Sequence, residues 1–426
     1  MKARLFSSFY DFLSTLANKL SSIRVYLQSE VDAVPLCLIL ASSPLPPLVT
    51  LRLLKKEGYE YLPEYPIDTK ELKNIGPKLK RVLEAAKESQ KYGSRTPLLQ
   101  ELDALLSECK SSLELADYTI SQFYQLLSVF TSIIPSIIVS VVVFTNPSVV
   151  SNMLYGLSAM SIIVSFVGAV LYPPEIKLRS CLSLKSLAPS ISVPFLLALA
   201  MANTSVHLSL LLSVALGSVP ACVIFTKRLR EEVNKFSKAL TLIERAASCP
   251  LNIFQCLGID DPRILISNEW GSLKPPLLAL YLLALYGGEA SGEGLRVLLR
   301  YFRSLYEAFK SLRRKGRIML FYSMIEACMA AAIYGVTLAM LDFFSTFSLS
   351  FPEVLLYPVT RTEISKLMKV IDVVLTVNCA ALAIGTANAR EGDFAYAFLY
   401  LPALAAAAWI AFNFSYVSIK TLMLIR

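Results

Sequence analysis

Apolar runs near the roughly 20 residues that a helix needs to cross a bilayer recur along this chain and alternate with two long charged stretches. They cover residues 126–145, 149–172, 188–202, 206–226, 319–341, 367–387 and 394–414. Their pattern predicts an all-α, polytopic membrane protein with about seven transmembrane helices. Pro135 falls inside the first run, and the short third run contains Pro189 and Pro194.

The polar stretches show helical periodicity instead. Residues 1–28 place Leu5, Phe9, Phe12, Leu16, Leu20 and Ile23 three and four apart among basic residues, an N-terminal amphipathic helix for the membrane interface or for packing on its own domain. No continuous apolar core or small-residue cleavage site follows, which argues against a signal peptide. Residues 29–125 read as a first cytoplasmic helical domain. Within it, 34–41 is too short to span and is expected to be a buried helix. A second helix starts at Pro46-Pro47, another covers 70–92 with an interruption at Gly76-Pro77, and one opens at Thr96-Pro97 and is expected to end near Ala116.

Residues 126–226 form a four-span block, 227–318 a second cytoplasmic helical domain, and 319–426 a three-span block. The second domain holds a charged helix (227–247), a short apolar helix (277–286), a break from Gly287 to Gly294 and an amphipathic helix. That helix ends on Arg313, Arg314, Lys315 and Arg317, and the next span follows at once. Stretches 39–54 and 283–302 share one design, a short apolar helix, a small-residue turn and an amphipathic helix with Leu and Arg near its start. They suggest two duplicated helical-bundle domains.

Composition supports the membrane class: 55% of residues are hydrophobic and mean hydropathy is +0.56. The net charge of +9 is uneven. Residues 1–125 carry 16 Lys/Arg against 15 Asp/Glu, and 227–318 carry 16 against 9. By the positive-inside rule this places the second domain, and the N-terminus, in the cytoplasm of a cell-membrane protein. No nucleic-acid motif accompanies the charge. The single histidine, His207, leaves no multi-histidine metal site, and the eight cysteines form no CxxC pair and read as reduced thiols or apolar fillers.

No catalytic constellation, phosphate-binding loop or cofactor motif stands out, so the chain reads as a non-enzyme without a metal. The basic cluster Arg313, Arg314, Lys315, Arg317 either fixes topology or docks an acidic partner face. Arg390, Glu391 and Asp393, in the tight loop between the last two spans, form either a plain turn or a docking element. Glu326 and Asp372 lie inside predicted spans, where a carboxylate costs about 2.5–3.5 kcal/mol at mid-bilayer. Packing, contact with another protein's membrane helix and ion transport are the roles that would justify them.

Several features in order resemble one family. They are an acidic start (Glu30, Asp32), an apolar helix, a Ser-Pro turn, Glu64-Tyr65-Pro66, Lys70-Glu71-Leu72 and Thr96-Pro97 before a long helix. The Gly-rich turn of 287–294 and the short acidic Gly loop of 389–393 follow. This sequence resembles the archaeal type II secretion F-domain family, the membrane platform proteins of type IV pili and archaella, related to tight-adherence C-type proteins. The resemblance implies a platform that couples a hexameric secretion ATPase on the cytoplasmic face to extraction of pilin-like subunits from the lipid bilayer, working as a homodimer. On it, the basic cluster and the 390–393 loop become ATPase-docking candidates, and Glu326 and Asp372 pilin-contact candidates. Duplicated modules and intramembrane carboxylates also suit a secondary transporter.

Overall fold

The computed structural model describes residues 22, 25–57, 59, 61–63, 75–142, 147–172, 178, 184–201, 207–249, 253–259, 261–286, 291–347 and 361–424. Most of 1–28, the 64–74 loop and Gly287-Gly288 lie outside them, and with these the N-terminal helix and several of the family-like motifs. The described residues are helical and contain no strand. They form α1 (Val25–Ser42), α2 (Pro47–Lys56), α3 (Pro77–Tyr92), α4 (Thr96–Ser128), α5 (Pro147–Leu171), α6 (Leu184–Met201), α7 (Ser209–Gly217) and α8 (Val219–Ser248). Then come α9 (Ile253–Leu257), α10 (Lys274–Tyr286), α11 (Ser291–Phe347), α12 (Arg361–Arg390) and α13 (Ala397–Leu424).

The chain divides into two compact units, each built from two separated segments: residues 1–113 with 234–308, and residues 114–233 with 309–426. The two stretches that sequence periodicity separates into two helical domains thus cluster into one unit. α4, α8 and α11 each contribute residues to both units. α4 does not stop near Ala116, because nothing between Pro97 and Pro135 breaks a helix.

In the first unit α1 is the centre. Leu36, Cys37, Leu38, Ile39 and Leu40 are all buried, and each large aliphatic side chain removed from water stabilises by about 1.5–3 kcal/mol. Its polar start serves a neighbour: Ser29 Oγ accepts from Gly76 N at 2.8 Å and Glu30 Oε1 from Lys78 N at 2.9 Å. Together they satisfy two of the open N–H groups at the start of α3. Asp32 accepts from Tyr61 Oη at 2.6 Å, and Gly93, at φ 65°, stops α3 in the left-handed conformation. α10 buries Leu277 through Leu280. Cys249 and Cys256 are joined as a disulfide between the end of α8 and α9, with Cα atoms 6.2 Å apart. This corrects the expectation that all eight cysteines are reduced or mere fillers. The chain turn between the two helices brings together thiols that no spacing motif marks.

The second unit is the membrane block. Among the described residues, seven helices are long and apolar enough to cross a bilayer. One of them, α1, is packed inside the first unit and faces protein rather than lipid. Exposed large apolar side chains instead crowd the second unit: Ile133, Ile137 and Val141 on the helical continuation of α4 over 129–142, Phe195 and Leu196 on α6, Phe321 and Met329 on α11, and Phe414 on α13. An outward apolar surface of this extent, on helices long enough to span, suits a lipid bilayer. α6 packs on α7 so tightly that a Cβ on Gly217 would lie 2.5 Å from Pro194 Cα. Pro135 cannot donate to the carbonyl of Thr131, four residues earlier. The helix answers with π-helical turns at Val129–Ile133 and Ile138–Val142. Asn378 Nδ2 of α12 takes up the Thr131 carbonyl at 2.8 Å.

Candidate functional site

The corner between α12 and α13 gathers residues that sequence places in two distant motifs. α12 ends at Arg390, where Glu391 N and Gly392 N both donate to Ala387 O, at 2.8 and 3.1 Å. Gly392 turns the chain at φ 75° with its Cα against the Tyr172 ring, where a Cβ would clash. Asp393 Oδ1 then accepts from Ala395 N at 3.0 Å and starts the 3-10 turn Phe394–Tyr396. Asn388 Nδ2 ties the corner to α5 through Ser165 O at 2.8 Å. Tyr172 Oη donates to Arg390 O at 3.3 Å.

Glu391 points inward and is completely buried. Its Oε1 accepts from Tyr400 Oη at 2.7 Å and lies 3.4 Å from Arg390 Nε. That second contact is an ion pair without hydrogen-bond geometry, since Arg390 Nε has no hydrogen-bond partner. Arg313 of α11, half-buried, adds a second positive charge that acts on Glu391. Burial pushes the carboxyl up to about 7, against the opposing pull of Arg390, the Tyr400 hydrogen bond and Arg313. A carboxyl held in this way can change charge near neutral pH.

α11 reaches the corner because Gly316 has no side chain: a Cβ there would sit 2.6 Å from Arg390 Cγ and 3.1 Å from its Cα. The basic cluster is therefore split. Arg313 turns toward Glu391, whereas Arg314, Lys315 and Arg317 are exposed. Sequence reading passed over Gly316, Tyr172, Asn388 and Tyr400. A glycine set among four cations was the available signal for the first, and an asparagine in an otherwise small-residue span for the third.

The two intramembrane carboxylates have separate surroundings. Asp372 Oδ2 accepts from Leu210 N and Oδ1 from Leu211 N, each at 2.9 Å, so the side chain caps α7 from another helix. Glu326 accepts a hydrogen bond from the Ser128 side chain, while its Oε2 is buried without a partner. A hydroxyl chain lies beside it: Tyr124 pairs with Ser323, and Ser323 Oγ lies 2.8 Å from Thr386 Oγ1. Among the described residues, no group of three or more His, Cys, Asp or Glu could hold a metal ion. No protein-family model, curated protein or solved structure matches this chain.

Proposed function

We propose that this protein is a membrane platform of a type IV pilus-like or archaellum-like assembly machine. Its N-terminus is cytoplasmic, it works as a homodimer in the cell membrane, and it couples a hexameric secretion ATPase to extraction of pilin-like subunits. The observation that supports this reading best is the meeting of the two docking candidates. Gly316 lets the basic end of α11 rest on Arg390, so a partner bound at exposed Arg314, Lys315 and Arg317 acts on the same corner that carries Arg390, Glu391 and Asp393. The resemblance described above supplies the identity of that partner. The reading is tested by co-purifying the detergent-solubilised protein with the secretion ATPase encoded beside it. Wild type is expected to retain the ATPase, and a variant with Glu at Arg314, Lys315 and Arg317 to lose it. Arg313 is left in place because it faces buried Glu391. Failure of the folded wild type to bind in any nucleotide state overturns the proposal.

One observation favours a second reading, a secondary transporter. Glu326 has an unpartnered buried oxygen next to hydroxyls and beside the π-helical turn Val129–Ile133, and an intramembrane carboxylate with a spare acceptor is of the kind that takes an ion. Glu326→Gln would then abolish solute flux in reconstituted vesicles.

A further inference from the structure

Two helices of the membrane unit present the same order of exposed side chains. Along α11, Ile318, Phe321 and Ile325 are exposed apolar residues, with Phe321 63% exposed. On the same face, one to three turns toward the N-terminus, come exposed Arg317, Arg314 and Lys310. The spacing follows from 3.6 residues per turn: positions 310, 314, 317, 321 and 325 step by threes and fours. Along α8, exposed Val219 and Val223, the latter at 64%, are followed by exposed Lys227 and Arg230. Positions 219, 223, 227 and 230 again share one face.

At about 1.5 Å rise per residue, Arg317 sits only about 6 Å along the helix axis from Phe321. On a helix long and apolar enough to cross a bilayer, an outward apolar face is matched by acyl chains, and cations at its edge then lie at headgroup depth. Long Lys and Arg side chains reach that layer readily. None of the five has a carboxylate partner among the described residues, and the nearest same-face acid on α11, Glu307, lies one turn beyond Lys310, farther from the apolar surface. Lys315 is about 100° round the helix from Arg314 and does not belong to this face.

We infer that Lys227, Arg230, Lys310, Arg314 and Arg317 form a collar that binds the phosphate headgroups of anionic phospholipids, with the apolar faces of α8 and α11 holding the acyl chains. The partner follows from charge complementarity and from the unbroken passage of each cationic face into a lipid-facing one. The inference goes beyond the ATPase reading and does not depend on it. It gives Arg314 and Arg317 a bilayer partner even when no second protein is present.

The test uses the full chain in phosphatidylcholine nanodiscs containing trace spin-labelled phosphatidylglycerol or spin-labelled phosphatidylcholine, with no ATPase present. Electron paramagnetic resonance gives the relative association of each lipid with the protein surface. Each juxtamembrane cation is worth roughly fivefold in partitioning at low salt. Wild type should therefore prefer the anionic probe at least fivefold in low salt, and 0.5 M NaCl should reduce the preference strongly. The Gln variant at all five positions should show equal association of both probes while keeping wild-type circular dichroism and elution volume. A single-helix variant, K227Q/R230Q, should fall between the two and covers the case in which the fivefold variant does not fold. Equal association of the two probes with wild type, or an anionic preference that survives the substitutions, overturns the inference.

Discussion

Replacing Asp372 by alanine removes both acceptors from the start of α7. Leu210 N and Leu211 N, each held at 2.9 Å, lose their partners where the helix has none of its own to offer. Each N–H left unsatisfied costs about 1–3 kcal/mol, and loss of the negative charge at a helix N-terminus adds about 0.3–1 kcal/mol. Asp372 is only part-buried, so water reaching the site would soften the loss, and about 2–4 kcal/mol is the expected destabilisation. Leu208, the residue before α7, sits at φ 55°, a left-handed conformation uncommon for leucine, and the cap is what keeps the chain there. Asp372→Asn retains one acceptor and should lose about half as much. The assay is equilibrium unfolding in mixed micelles. Trp409 serves as a local reporter, because its Nε1 donates to His207 O at 3.1 Å in the same corner. Alanine should lower stability and shift the Trp409 emission to the red. Unfolding within about 0.5 kcal/mol of wild type, with unchanged emission, would refute the capping role and return Asp372 to the candidates for contact with another membrane helix.

Three further outcomes follow from the same structure. Glu391 has its folded pKa raised from 4.5 to about 7, so the fold binds a proton that the unfolded chain releases. Its contribution is full below about 4.5 and is lost as pH rises through about 7. The difference is on the order of 3 kcal/mol, and Glu391→Gln should flatten the pH dependence of unfolding across that window. Gly316→Val should destabilise the membrane unit by about 1–3 kcal/mol through overpacking against Arg390, whereas Gly292→Val, at a position where a Cβ would meet nothing within 4 Å, should be neutral or slightly stabilising, because valine has a higher helix propensity than glycine. Mass spectrometry of alkylated protein, with and without reduction, should show Cys249 and Cys256 protected together before reduction and labelled after it. Labelling of both without reductant would contradict the disulfide.

Long apolar runs made the spans legible because length and hydropathy are local properties of a chain. Pro47 announced a helix start for the same reason, and Gly76-Pro77, read as an interruption within a 70–92 helix, marks the start of α3. Relations across the chain were not legible. Nothing near Asp372 in sequence indicates that its carboxylate caps a helix begun at Ser209, and nothing near Arg313 points to Glu391. α1 shows the opposite ambiguity: an apolar helix of 18 residues satisfies the composition of a span, and only the burial of its 36–42 stretch shows that it is a core. The basic cluster was visible as charge, but the division between inward Arg313 and outward Arg314 and Arg317 comes from the close approach that Gly316 permits. Acidic Glu391 looked like a surface loop residue because a tight polar turn is ordinarily solvated. Its burial depends on Tyr400, which the corner folds back over it from the first turn of α13, and on Tyr172, from a distant part of the chain.

Co-purification with the neighbouring secretion ATPase tests the platform reading most directly. Retention by wild type, with loss when Arg314, Lys315 and Arg317 become glutamate, is the predicted result. Absence of any association by the folded wild-type protein, across nucleotide states, would contradict it.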